Sequence, residues 1–164
     1  MFTTLNIAPA EFRARAETLL ARLRQEQMTG AMLFDRTYIL YYTGFAFIPT
    51  ERPIAYLLNA AGEEALFAPR LEEEHARAAS RIERVETYEE YPGDPHPLRA
   101  LARLAGQMGL GERYVADSDG PAWALGYQGP PLGEVMGSRP LPIAASIERQ
   151  MMVKSPAELA LIRV

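Results

Sequence analysis

Apolar positions recur along the chain with two different periods, and the change from one to the other marks its elements. From Pro9 onward Phe12, Ala16, Leu19, Leu20 and Leu23 share one face at helical spacing, while Arg13, Arg15, Arg22 and Arg24 spread over the others. This predicts an amphipathic helix entered at Pro9 and ended by Thr29-Gly30. Ala31-Met32-Leu33-Phe34 is a short unbroken apolar run between Gly30 and Asp35-Arg36, the pattern of a strand buried on both faces. Ile54 to Leu58 is a second such run and Glu64 to Ala68 a third, and Asn59-Ala60-Ala61-Gly62 between them predicts a hairpin turn. Thr37 to Pro53 reads as a rigid aromatic connection whose closing prolines cannot continue a sheet. The whole stretch from Ala31 to Leu58 joins the most apolar content to the least charge and is expected at the centre of the core.

Pro69 opens a second predicted helix, Leu71 to Ala79, with Leu71, His75 and Ala78 on one stripe and Glu72, Glu73 and Glu74 at its positive end. Val85 to Tyr88 is a fourth strand, and the prolines of Tyr91 to Pro97 require an exposed loop. A third helix runs from Leu98 to Met108 with Leu101, Leu104 and Ala105 inward, and Gly109-Leu110-Gly111 stops it. Tyr114 to Ala116 is a fifth strand, Pro121 to Leu125 a short helix carrying Trp123, Glu134 to Met136 a last edge strand, and Ile143 to Val153 helical. Strands alternating with helices in this way predict an α/β fold: a mixed sheet of about five or six strands flanked by helices. Ser155-Pro156-Ala157-Glu158 then forms a capping box with proline at the first helical position, and the helix it starts has barely two turns. The expected organisation is one domain over residues 1–150, followed over 151–164 by a linker and the first helix of a further domain.

Composition narrows the classes. A chain of 164 residues with 48% hydrophobic content can bury a proper core. No apolar run approaches the ~20 residues of a membrane span, and the opening MFTTLNIAPAEF has neither the basic start nor the apolar stretch of a signal peptide. Zero cysteines exclude disulfide and thiol chemistry and fit a reducing, cytoplasmic setting. A net charge of -4 argues against a nucleic-acid partner, since phosphate binding favours a basic face.

Candidate chemistry is sparse. His75 and His96 are the only histidines, and they make no local metal motif. There is no Gly-x-Ser-x-Gly elbow, and Gly106, Gly109 and Gly111 have the wrong spacing for a dinucleotide fingerprint. Asp35 and Asp117 each end a predicted strand, and with Asp119 they offer carboxylates for a divalent cation, hence for a free-standing metal-dependent hydrolase or nuclease. The stronger reading of Asp117-Ser118-Asp119-Gly120 is a turn that caps the following helix.

Two stretches separated by about a hundred residues carry a resemblance: Ile39-Leu40-Tyr41-Tyr42-Thr43-Gly44-Phe45 and Val153-Lys154-Ser155-Pro156-Ala157-Glu158-Leu159. They resemble the signatures that bound the N-terminal domain of creatinase/prolidase-type enzymes, the Xaa-Pro peptidases, aminopeptidase P and creatinase of the pita-bread superfamily. Pro69 to Ala76 is a weaker third match. The sequence departs from the family pattern at Tyr38, where the family usually has Asn, and at Met151, where it usually has Arg. The resemblance implies a noncatalytic domain. In such enzymes a separate C-terminal domain binds two divalent metal ions (Mn, Co or Zn) and hydrolyses the bond before proline, while the N-terminal domain builds a homodimer and covers the active site. By position the covering loop is Phe45 to Arg52, which makes Phe47 an apolar wall and Arg52 a cation for the carboxylate of a proline-containing peptide. Dipeptidase, aminopeptidase and creatinase parentage all fit these residues.

Overall fold

The computed structural model describes residues 7–121 and 124–163. Among them are seven α-helices and a six-stranded sheet of order β4-β3-β2-β1-β5-β6. The chain runs α1 (Pro9–Gln25), β1 (Gly30–Leu33), α2 (Arg36–Thr43), β2 (Ala55–Asn59), β3 (Glu64–Pro69), α3 (Glu73–Ala79), β4 (Val85–Tyr88) and α4 (Pro97–Gln107). It continues through β5 (Tyr114–Ala116), α5 (Leu132–Met136), β6 (Leu141–Pro142), α6 (Ala144–Met152) and α7 (Pro156–Ile162). The sheet is mixed, as expected: β1 pairs antiparallel with β2 and parallel with β5, β2 and β3 form the predicted hairpin, and β4 and β6 join as parallel edges. No helix among the described residues is long and apolar enough to cross a membrane.

The unbroken apolar run of β1 serves two cores. Ala31 and Leu33 face one side, with Leu19 and Leu23 of α1, Ile39 and Tyr42 of α2, and Ile147 of α6. Met32 and Phe34 face the other, with Leu98, Leu101 and Leu104 of α4 and Leu132 of α5. Alternation of side chains across a strand therefore sorts one apolar segment into two layers, which explains why it shows no polar face. Gly30 is needed where this strand enters. A Cβ there would sit 2.7 Å from the Leu58 carbonyl oxygen and 2.7 Å from Leu110 Cγ.

Side-chain hydrogen bonds hold the turns. Buried Asn59 ends β2, donating from Nδ2 to the Met108 carbonyl at 2.8 Å and accepting from the Glu63 amide at 2.8 Å, so the hairpin turn is tied to the end of α4. Glu64, at the start of β3, takes a bidentate contact from Arg81, whose Nη1 lies 2.6 Å from Oε2 and whose Nη2 donates to Oε1. The Tyr56 hydroxyl donates to the same Oε1, and Arg81 Nε donates to the Tyr42 carbonyl at 2.9 Å. This network joins β2, β3, the end of α2 and the segment after α3.

Three expectations need correction, and a fourth lies partly outside the described residues. The first half of the Thr37 to Pro53 connection is helical: α2 is capped by Asp35, whose Oδ1 accepts from the Thr37 amide at 2.7 Å, and is closed by Gly44 at φ +82. Tyrosine and threonine content hid a helix whose two ends were both written in the sequence. Glu134 to Met136 lies in α5 rather than in an edge strand, because Gly137 closes that turn in the left-handed conformation, and the last edge is Leu141–Pro142. The inner residue of α3 is Ala76, whereas Leu71 is 68% exposed in a 3-10 turn before the helix, so the expected stripe through Leu71, His75 and Ala78 is a surface one. The short helix expected at Pro121 to Leu125 falls partly outside the described residues, Trp123 included.

Candidate functional site

The loop that follows α2 is built from a buried base and an exposed tip. Thr43 Oγ1 donates to the Ile39 carbonyl at 2.6 Å and accepts from the Phe45 amide at 3.0 Å, which fixes the exit from the helix. Gly44 has a left-handed backbone, and a Cβ there would lie 3.3 Å from two ring carbons of Phe12. Phe45 is fully buried, stacked on Phe47 with centroids 5.4 Å apart and meeting His75 edge-on at 5.0 Å. Phe47 is half-buried and packs back on the domain through this stack. Arg52 pairs with its neighbour Glu51 at 2.6 Å, and about a third of each side chain is exposed (37% and 34%). Sequence reasoning missed a residue between Phe47 and Arg52: Ile48 is 84% exposed, an apolar side chain held out at the tip. Its position after two aromatics and before a proline was the available signal. Beyond the loop, the Tyr88 hydroxyl donates to the Pro53 carbonyl at 3.0 Å and anchors the return into β2.

The three aspartates are each engaged with backbone amides. Asp117 accepts from the Phe34 amide at 3.0 Å and, through Oδ2, from the Asp35 amide at 2.6 Å, so it caps the open end of β1. Asp35 caps α2, and Asp119 Oδ1 accepts from the Gly133 amide of α5 at 2.7 Å. The Asp117 and Asp119 contacts go to β1 and α5 rather than to the helix expected after Pro121, and they leave the trio poorly suited to a cation. Among the described residues no group of three or more His, Cys, Asp and Glu side chains gathers to hold a metal ion.

Burial pushes the Asp117 carboxyl up to about 6, against the pull of the Asp35 and Phe34 amides, which favour its charged form. Between its ordinary value of 3.8 and about 6, the folded state therefore holds more protons than the unfolded state. The stabilisation this provides is fully present below pH 3.8 and is lost as pH rises through about 6. Asp117→Asn does not titrate. Wild type is expected to gain roughly 2 kcal/mol relative to this variant between pH 7 and pH 4, read by urea unfolding at each pH. A difference that stays constant with pH would contradict the buried titration.

His96 also has a structural role. Its Nδ1 accepts from the Leu98 amide at 3.1 Å and caps α4, which leaves Nε2 to donate to the Gln128 carbonyl at 2.9 Å. The ring meets Tyr91 and Tyr127 edge-on, so the proline-rich loop is pinned to residues 127–128 by aromatic contacts that the sequence did not reveal. His75 on α3 is bonded to Glu72 at 3.0 Å. The two histidines lie in separate settings and share no site.

The profile of the creatinase/prolidase N-terminal domain matches residues 15–119. Over 65 residues the chain is 35% identical to an uncharacterized peptidase of Staphylococcus saprophyticus, a match covering 40% of this chain and 19% of that protein. Among solved structures it is similar to dipeptidase PepE from Mycobacterium ulcerans, at 21% identity and a TM-score of 0.74, over 94% of this chain and 40% of that one. A proline dipeptidase structure from Streptococcus pneumoniae is similar at 23% identity and a TM-score of 0.66, over 85% of this chain and 98% of that one. The N-terminal domain of an Xaa-Pro dipeptidase from Lactobacillus brevis is similar at 22% identity and a TM-score of 0.63, over 82% and 98%. At these identities the structural likenesses establish the fold. The chain spans about a fifth of the curated relative and two fifths of the M. ulcerans dipeptidase. With the family profile covering most of its length and the mixed sheet agreeing, the chain belongs to the creatinase/prolidase N-terminal domain family.

Proposed function

We propose that this chain is the noncatalytic N-terminal domain of a cytoplasmic, metal-dependent Xaa-Pro peptidase of the prolidase or aminopeptidase P type. The observation that carries this reading is the family match over residues 15–119. It is supported by the length of the M. ulcerans dipeptidase, 40% of which this chain covers. On this reading the divalent ions, Mn, Co or Zn, are bound by a catalytic domain elsewhere in the parent protein, and the N-terminal domain supplies a homodimer contact and a cover for the substrate site.

The cover is the Phe45 to Arg52 loop. Its base is buried and its tip exposed, a construction that holds Ile48 and Arg52 in place at low entropic cost. Phe47 forms an apolar wall backed by Phe45. Arg52 turns from Glu51 to the carboxylate of a proline-containing peptide, exchanging one carboxylate partner for another. In the parent enzyme loaded with Mn²⁺, turnover of an Xaa-Pro dipeptide is expected, and this chain alone should show none. Arg52→Ala in that enzyme should raise KM about tenfold with kcat little changed, the mark of a lost uniform binding contact. Absence of Xaa-Pro hydrolysis by the parent would overturn the peptidase reading, and unchanged kinetics in the variant would overturn the role of Arg52.

A further inference from the structure

Arg15 is the most buried charged residue among the described residues, 7% exposed on α1. Its Nη1 donates to the Tyr41 carbonyl at 2.9 Å in the last turn of α2, where a cation also meets the negative end of the helix. The guanidinium lies 4.2 Å from the centre of the Tyr41 ring and 5.3 Å from that of Phe12. Nε reaches Glu11 at 3.3 Å, and Nη2 reaches Glu158 of α7 at 3.4 Å.

Glu158 is a shared group. Its Oε2 accepts from the Ser155 amide at 2.9 Å as half of the α7 capping box, while Oε1 faces Arg15. The preceding helix is tied to the same spot: Gln150 Nε2 donates to the Arg15 carbonyl at 3.0 Å and Gln150 Oε1 accepts from the Tyr42 hydroxyl at 2.9 Å. Apolar packing contributes little here, because α7 buries no residue fully and Ile162 is largely exposed. A cleft of about 400 Å³ lined by Phe12, Leu40, Tyr41, Met151 and Leu161 lies beside the ion pair instead of a packed seam.

The geometry points to Arg15 as a positioning residue that clamps α7 to α1 and α2 and so sets the direction in which the chain leaves the domain. A seven-residue helix has no stability of its own, so its orientation follows from its single charged anchor. Resting on the reading under Proposed function, this clamp orients the catalytic half of the parent enzyme against the sheet domain.

Glu158→Gln tests the clamp in this chain. Glutamine serves as well as glutamate in a capping box, so the variant keeps the helix start and removes only the charge that faces Arg15. By hydrogen exchange, the amides of 159–162 should exchange about fivefold faster than in wild type, with those of β1 to β3 unchanged. Raising salt should speed α7 exchange in wild type and leave it unaffected in the variant. Arg15→Lys, which keeps the charge but loses the planar fork over Tyr41, should fall between the two. Equal exchange in wild type and Glu158→Gln, or a loss spread evenly over α7 and the sheet, would overturn the clamp. Neither result depends on whether the parent hydrolyses Xaa-Pro bonds, so the clamp and the peptidase reading fail separately.

Discussion

Replacing Glu64 with alanine is expected to cost about 2–4 kcal/mol of stability, because it leaves the part-buried Arg81 guanidinium without its charge partner. The Arg81 side chain is only 9% exposed, and without Glu64 its guanidinium keeps a full charge and one carbonyl partner, Tyr42. The Tyr56 hydroxyl, wholly buried in β2, loses the Glu64 acceptor in the same step. Glu64→Gln should cost less, because an amide still accepts from Tyr56 and Arg81 although it cannot offset the charge. Urea unfolding of both variants checks this, and a loss below about 1 kcal/mol for Glu64→Ala would show that water rescues the network.

Phe45→Ala is the second large effect, expected at about 3–5 kcal/mol from lost transfer free energy and the cavity left behind. Its consequence reaches the candidate site. Phe47 stacks on the Phe45 ring and His75 meets its edge, so the variant removes the floor under the exposed tip at Ile48. Hydrogen exchange over 46–52 should rise by more than the global loss of stability explains. If these amides change only in step with the rest of the molecule, the loop is held by its backbone rather than by the aromatic stack.

How much of this was legible in the sequence depended on how local the cause was. The strands were readable because runs such as Ala31 to Phe34 are apolar throughout, and the hairpin because Asn59 and Gly62 bracket it. The α7 capping box was readable because its two partners lie three residues apart. Helix α2 was not read, since Tyr38, Tyr41 and Thr43 suit a strand in isolation and only the Asp35 cap with Gly44 decides the matter. Edge strand β6 is two residues long and exists through its register with Val115 and Ala116, a long-range cause with no local pattern. For the site, position suggested Phe47 and Arg52, but their stacking on Phe45 and pairing with Glu51 required coordinates. Arg15 looked like one of several solvated arginines, because its burial comes from Tyr41 and from Glu158, more than 140 residues later.

The two borders of the sheet bear on how copies of this molecule meet. One border is the pair Leu141–Pro142, too short to template another strand and ending in a residue with no amide hydrogen to offer. The other, Val85–Tyr88, runs within four residues into a loop with prolines at 92, 95 and 97. Neither invites a neighbour to add on by backbone pairing, which guards the chain against runaway ribbon growth during synthesis, before other surfaces are in place. Short borders of this kind shift the burden of recognition between copies from backbone repetition towards side-chain chemistry on helix faces and loop tips.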